Sequence, residues 1–97
     1  MSFIDKGKQI LKLRRIQQEL KNTIVEAERM DGKIKIIMTG EFKPQEIKID
    51  ESLLSPDNSF QLEKALKEAF IEALNKAQQV AASKMREMGG DLGIPGI

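Results

Sequence analysis

Residues 58–88 read NSFQLEKALKEAFIEALNKAQQVAASKMREM, the longest periodic stretch in the chain, and the fold turns on it. Its apolar residues fall at Leu62, Leu66, Ala69, Phe70, Ala73, Leu74, Ala77, Val80, Ala81, Met85 and Met88. Steps of three and four place them in one stripe along a helix. Asn58 followed three residues later by Gln61 has the form of a capping box, and Gly89-Gly90 stands where a left-handed C-cap favours glycine. A helix of roughly 30 residues is about 45 Å long, whereas a domain of this size is nearer 30 Å across. Part of the helix must therefore overhang the body of the protein.

The stretch before it has a different period. Thr23–Met30 is rich in β-formers and leads into Asp31-Gly32, a strong hairpin signal. Lys33–Thr39 alternates, with Ile34, Ile36 and Met38 on one face, and Gly40-Glu41 marks a second turn. Glu46–Asp50 is the third strand; Pro44 just ahead of it suggests an edge position. The economical arrangement is a three-stranded antiparallel meander. Glu51–Asp57 is a connector in which Pro56 interrupts any helix, with Leu53 and Leu54 expected beneath the sheet.

Ahead of the strands, Lys6 to about Asn22 reads as a first helix with Asp5 as its N-cap and Gly7 weakening its first turn. Ile10, Leu13, Ile16, Leu20 and Ile24 recur at coiled-coil-like intervals, while Lys8, Lys12 and Arg15 form a separate stripe. The order is α-β-β-β-α, an α+β fold in a single domain spanning residues 1–97. With three strands, the last helix folds back across the sheet and projects from the same end as the first helix. The glycine-rich segment Gly89–Ile97 is expected to be a mobile tail.

Composition narrows the function. Cysteine and histidine are absent, which removes thiolate metal sites, disulfides and the commonest general base. Ser52, Ser55, Ser59 and Ser83 have no histidine to activate them, and Glu68 and Glu72 are read as surface partners of Lys64, Lys67 and Lys76. No phosphate loop or dinucleotide fingerprint is present, so an enzyme is not expected, and neither is a cofactor or metal. No apolar run is long enough for a membrane span, and Met1–Lys8 has no apolar signal core; a cytosolic protein follows.

The net charge is only +1, but it is unevenly spread. Residues 5–21 carry six basic residues against two acidic, whereas residues 22–57 carry five against eight. Positive charge thus gathers on the first helix and, through Lys76, Lys84 and Arg86, on the far half of the last. Lys8, Lys12, Arg14, Arg15, Lys76, Lys84 and Arg86 are the candidate phosphate contacts. A solvated helix face is the competing reading of the same stripes. Lys84 interrupts the apolar stripe, either snorkelling from its edge or facing a ligand, with the ligand favoured. Ala69, Ala73, Ala77 and Ala81 are suited to close approach by another helix. No cluster of aromatic, Asn and Arg side chains offers base readout, so binding by charge and shape is the expectation.

Several segments together resemble the YbaB/EbfC family of nucleoid-associated DNA-binding proteins. The likeness runs through Gln9, Gln17 and Gln18, Val25-Glu26, GKIKIIMTG (32–40), IKID-x-x-LL (47–54), Leu62-Glu63, Ala69, Ala73 and Ala77, and the closing GGDLGIPGI (89–97). The resemblance implies a small bacterial homodimer, nucleoid-associated, whose protruding helices hold duplex DNA in the manner of tweezers. The family's glycine-rich first hairpin and Met-rich first helix are replaced here by Met30-Asp31-Gly32 and by Leu, Ile and Arg. A module that docks a partner protein through its helical faces is the reading of a different class.

Overall fold

The computed structural model describes the backbone of residues 3–92 and the side chains of 7–8 and 10–87. Helix α1 (Phe3–Asn22) leads into strands β1 (Ile24–Arg29), β2 (Ile34–Thr39) and β3 (Pro44–Ile49). Two 3₁₀ turns, Glu51–Leu53 and Pro56–Asn58, then deliver the chain to helix α2 (Ser59–Leu92). The sheet is an antiparallel meander in the order β1-β2-β3, as the alternation predicts. Each strand is a residue or two off its expected bounds.

Side-chain alternation decides what lies beneath the sheet. Ile34, Ile36 and Met38 are fully buried on one face of β2, joined by Ala27 from β1. Against them α2 lays Ala65, Ala69, Ala73 and Ala77, all in the same buried cluster. Ala65, Ala69, Ala73 and Ala77 therefore seat the helix close against the sheet, where large β2 side chains fill the space above small helix residues; for Ala69, Ala73 and Ala77 the close partner is the sheet, whereas Ala81 is half-buried outside that cluster. Val25, Ile49, Leu62, Leu66 and Leu74 close the margins. Phe70 belongs to the same sequence stripe but lies at its edge, 37% exposed.

The turns follow local chemistry. Asp31 and Gly32 occupy the centre of the first hairpin at φ 56° and 84°, Met30 before them is also at 56°, and Lys33 N–H donates to the Met30 carbonyl at 3.2 Å. Two consecutive positive φ values are what the mirror-image turn requires. The β2–β3 turn is built on Thr39, a buried polar residue whose Oγ1 accepts from the N–H groups of Glu41 and Lys43, both at 3.2 Å. Pro44 opens β3 at the sheet edge, next to a register shift that pairs Ile37 with Glu46 but Met38 with Pro44.

Helix boundaries differ from expectation in three places. Helix α1 is already formed at Phe3, so Asp5 lies inside it and does not cap it. Asn58 ends a 3₁₀ turn, and its side-chain amide donates back to the Ser52 carbonyl at 3.3 Å. The run-in to α2 is set instead by Ser55, which accepts from Asp57 N–H, and by Pro56 at the start of the turn. At the other end α2 continues through Gly89-Gly90 to Leu92. Gly32 is the one glycine at positive φ among the described residues, so neither Gly89 nor Gly90 adopts the left-handed stop. Residues 93–97 of the expected tail lie outside the described residues, as does the Met88 side chain.

Leu53 and Leu54 also part company. Asp50 accepts from Ser52 N–H at 2.8 Å and starts a 3₁₀ turn that buries Leu53 to 5% exposure; the same turn sends Leu54 to solvent. A 3₁₀ step of about 120° between neighbours cannot bury both.

The overhang is present. The molecule extends 64 Å along its long axis against 23 and 16 Å across it. Its radius of gyration is 18.3 Å, well above the ~12.5 Å of a compact chain of this length. Contacts between Arg29 and Glu72, then Glu26 and Lys76, show α2 running antiparallel to β1 along the sheet. Beyond the sheet it packs beside α1, forming an arm.

Candidate nucleic-acid interface

The arm begins where α1 meets the sheet. Thr23 Oγ1 donates to the Glu19 carbonyl at 2.7 Å and draws the helix to a close. Gly40, at the end of β2, donates to the carbonyls of both Leu20 and Thr23, at 3.0 and 2.9 Å. A Cβ on Gly40 would stand 2.9 Å from the Leu20 oxygen and 3.2 Å from its Cα. Glycine is required there by close backbone approach, and this contact fixes the direction in which α1 leaves the sheet.

Of the apolar stripe on α1, Ile16 is buried and Leu20 half-buried, but Ile10 and Leu13 are exposed. Ile24 is not on the helix at all; it is the first residue of β1, also exposed. One neighbouring helix covers only a narrow strip of α1. Across that strip Lys84 Nζ lies 3.2 Å from a Glu19 carboxylate oxygen. With equal rise in two antiparallel helices, Leu92 at the end of α2 comes level with Leu11, so α1 extends past it toward the tip.

Four of the seven candidate cations stand on α1. Lys8, Lys12 and Arg15, with Leu11, line one shallow depression of about 280 Å³, so the stripe does form a common face. Arg14 is exposed on another side of the helix. The three on α2 are placed differently. Lys76 donates to the Glu26 carbonyl at 2.7 Å and lies 3.8 Å from Glu72, which ties it to the edge of β1. Lys84 has Glu19 as a partner within the chain. Arg86 is exposed, its Nε 3.4 Å from the Ala82 carbonyl one turn back. The α2 cations therefore do not extend the α1 stripe into one basic surface. The groove beside Lys76 and Lys84 also holds Glu26 and Glu87, a mixed lining unsuited to a polyanion.

Glu19 and Arg29 are the residues that sequence spacing passes over. Arg29 reaches from β1 to Glu72 at 3.3 Å and Glu68 at 3.7 Å, so those carboxylates are held by a strand arginine and, for Glu72, by Lys76. Helical spacing shows partners within a helix and none across elements. Among the described residues no cluster of His, Cys, Asp and Glu could hold a metal ion, and no helix is long and apolar enough to cross a membrane.

An uncharacterized protein of Helicobacter pylori has the same fold, with a TM-score of 0.61 over 95% of this chain and 97% of that one at 18% identity. Closer in sequence are nucleoid-associated proteins. That of Dictyoglomus turgidum is 34% identical, with 87% of this chain and 81% of the relative covered. That of Bradyrhizobium sp. strain ORS 278 is 37% identical, with 87% and 79% covered. The sequence model of the YbaB/EbfC DNA-binding family matches residues 6–92, nearly the whole chain, and the protein belongs to that family.

Proposed function

We propose that the protein binds duplex DNA as a homodimer, largely through phosphate contacts and duplex shape, with little sequence preference. In the cell it is then a cytoplasmic, nucleoid-associated protein that affects nucleoid organisation and gene expression. The observation that carries this reading is the common face of Lys8, Lys12 and Arg15 on a projecting arm. Cations on a rigid helix track a phosphate backbone without reading bases. Family membership and the nucleoid-associated relatives support DNA as the partner. Exposed apolar side chains on the arm and at the β3 edge support self-association.

Binding to several unrelated duplexes, titrated with salt, tests the proposal. Comparable affinities that fall steeply and together with added salt are expected. No binding at low salt, or binding indifferent to salt, refutes it. Exposed Ile10 and Leu13 favour one other reading, a helix-docking surface for a different protein. Capture of such a partner that survives nuclease, with no retention on DNA, would decide for it.

A further inference from the structure

The outermost line of α1 carries an apolar side chain between charged ones. Ile16 and Leu20 mark the covered side of the helix, the first buried and the second half-buried. At 3.6 residues per turn, Leu11 lies about 160° around the helix from the midline of those two. It is 65% exposed, more than any other large apolar side chain on α1 among the described residues. Ile10 and Leu13 are also exposed, but they lie about 100° and 160° away from Leu11, so the three make no common apolar face for a membrane or a partner helix.

Cations straddle Leu11 in two rows. Lys8 and Arg15 stand about 60° and 40° to one side of it, and Arg14 and Lys21 about 60° and 80° to the other. Each pair is separated by a rise of about 10.5 Å along the helix. Lys8 and Arg15 line a depression together with Leu11, while Arg14 and Lys21 are exposed. Glu19, the one acid on α1 among the described residues, falls outside both rows and is turned to Lys84. Gly7 lies one turn toward the tip, about 40° from the Leu11 line. A Cβ there would meet nothing within 4 Å, so no contact inside the chain requires glycine at a position where it weakens the helix. The room it leaves admits another molecule's backbone ahead of Leu11.

We infer that α1 enters the major groove of the duplex with this line leading, and that Leu11 packs on the 5-methyl groups of thymine while the two cation rows reach the phosphates of opposite groove walls. This deepens the function proposed above and rests on it. A helix about 10–12 Å across fits a major groove about 12 Å wide and is kept out of a minor groove about 6 Å wide. Cations on both flanks match a groove, which has a phosphate backbone on either side. Leucine forms no hydrogen bond, so the feature it can recognise on a base edge is the thymine methyl group. The discrimination is correspondingly small. Burying one methyl group changes affinity about fourfold, which stays within the weak sequence preference proposed above.

The test moves methyl groups on the DNA and compares the full chain with its Leu11→Ala variant. One duplex is prepared with thymine and again with deoxyuridine, which lacks only the methyl; a G·C duplex is prepared with cytosine and again with 5-methylcytosine. By fluorescence anisotropy, the wild type should bind each methylated form about fourfold more tightly than its unmethylated counterpart. Leu11→Ala should lose both differences and keep the wild-type salt slope, because the cation rows are intact. A thermal melt and sedimentation equilibrium check folding and self-association of the variant. A wild type indifferent to the methyl groups, or a variant that still senses them, overturns the contact and leaves the proposed function standing. A variant whose self-association falls shows Leu11 covered by a second copy, which overturns the contact as well. Absence of binding to every duplex refutes the proposed function itself.

Discussion

Replacing Lys8, Lys12 and Arg15 together with Gln should remove most of the salt dependence of DNA binding. The rise from Lys8 to Arg15 is about 10.5 Å at 1.5 Å per residue. One strand of B-DNA carries a phosphate every ~3.4 Å of axis, so a face of that length spans about three phosphates. Each contact contributes about −0.9 to the slope of log affinity against log salt, hence about −2.7 for one arm and −5.4 for two. Between roughly 50 and 200 mM salt the wild type should lose about 40-fold per arm and over a thousandfold for two arms engaged, whereas the variant should lose little. Gln has nearly the helix propensity of Lys and Arg, and substitutions on an exposed helix face of this kind shift stability by about 0.5 kcal/mol or less. Fluorescence anisotropy on several unrelated labelled duplexes, with a thermal melt of each protein, is the assay. A variant whose slope equals that of the wild type would show that the stripe is merely solvated. A loss confined to one duplex would show base readout.

Three further outcomes follow from the arm and its attachment. Gly40→Ala forces backbone apart where α1 meets β2; a loss of about 1–3 kcal/mol, or roughly 4–8 °C in Tm per kcal/mol, is expected in a thermal melt, and no change would refute the close-approach argument. Glu19→Gln removes the acid facing Lys84 and should tighten DNA binding at low salt and steepen the salt slope by about one unit, while stability changes by less than about 1 kcal/mol because the pair is partly exposed. Asp50 is held below its ordinary carboxylate range, first by the hydrogen bond from the Ser52 backbone N–H, then by the Ser52 side chain and the charge of Lys33. A lowered folded-state pKa stabilises above the unfolded value and fades as pH falls through the folded one. The difference in urea midpoint between wild type and Asp50→Ala should therefore be constant near neutrality and narrow below about pH 4.

The elements of the fold were legible because local periodicity dictates them. Ile34, Ile36 and Met38 alternate and are buried; Asp31-Gly32 supplies two residues that tolerate positive φ; α2 has its stripe. What the sequence hid depends on partners distant in the chain. The alanines announce a close approach but not what approaches, and the sheet met Ala69, Ala73 and Ala77. Leu53 and Leu54 are equally apolar, and only the pitch of a 3₁₀ turn separates them. Gly89-Gly90 permits a left-handed stop without compelling one, because glycine also adopts helical φ at a cost of about 1 kcal/mol each. At the candidate interface Lys8, Lys12 and Arg15 share the expected face of α1, and Arg14 does not. On α2, Lys76 keeps the within-helix partner Glu72 that spacing predicts, but its bond to the Glu26 carbonyl and the pairing of Lys84 with Glu19 come from a cross-element register that helical spacing does not contain.

A net charge near zero is compatible with a polyanionic partner when the charges are segregated along a 64 Å molecule. The sheet carries Glu26, Glu28 and Glu46, which their lysine partners offset only in part: a single Lys35 lies 3.3 Å from Glu28 and 3.8 Å from Glu26, and Lys48 3.5 Å from Glu46. Adding the acidic residues of the turns, residues 22–57 carry eight acidic residues against five basic, while the first helix holds six basic residues against two acidic. Separated by several Debye lengths of about 8 Å at physiological salt, the two ends act on a duplex independently. On the function proposed above, the field of the arm turns an approaching duplex toward it before any contact forms.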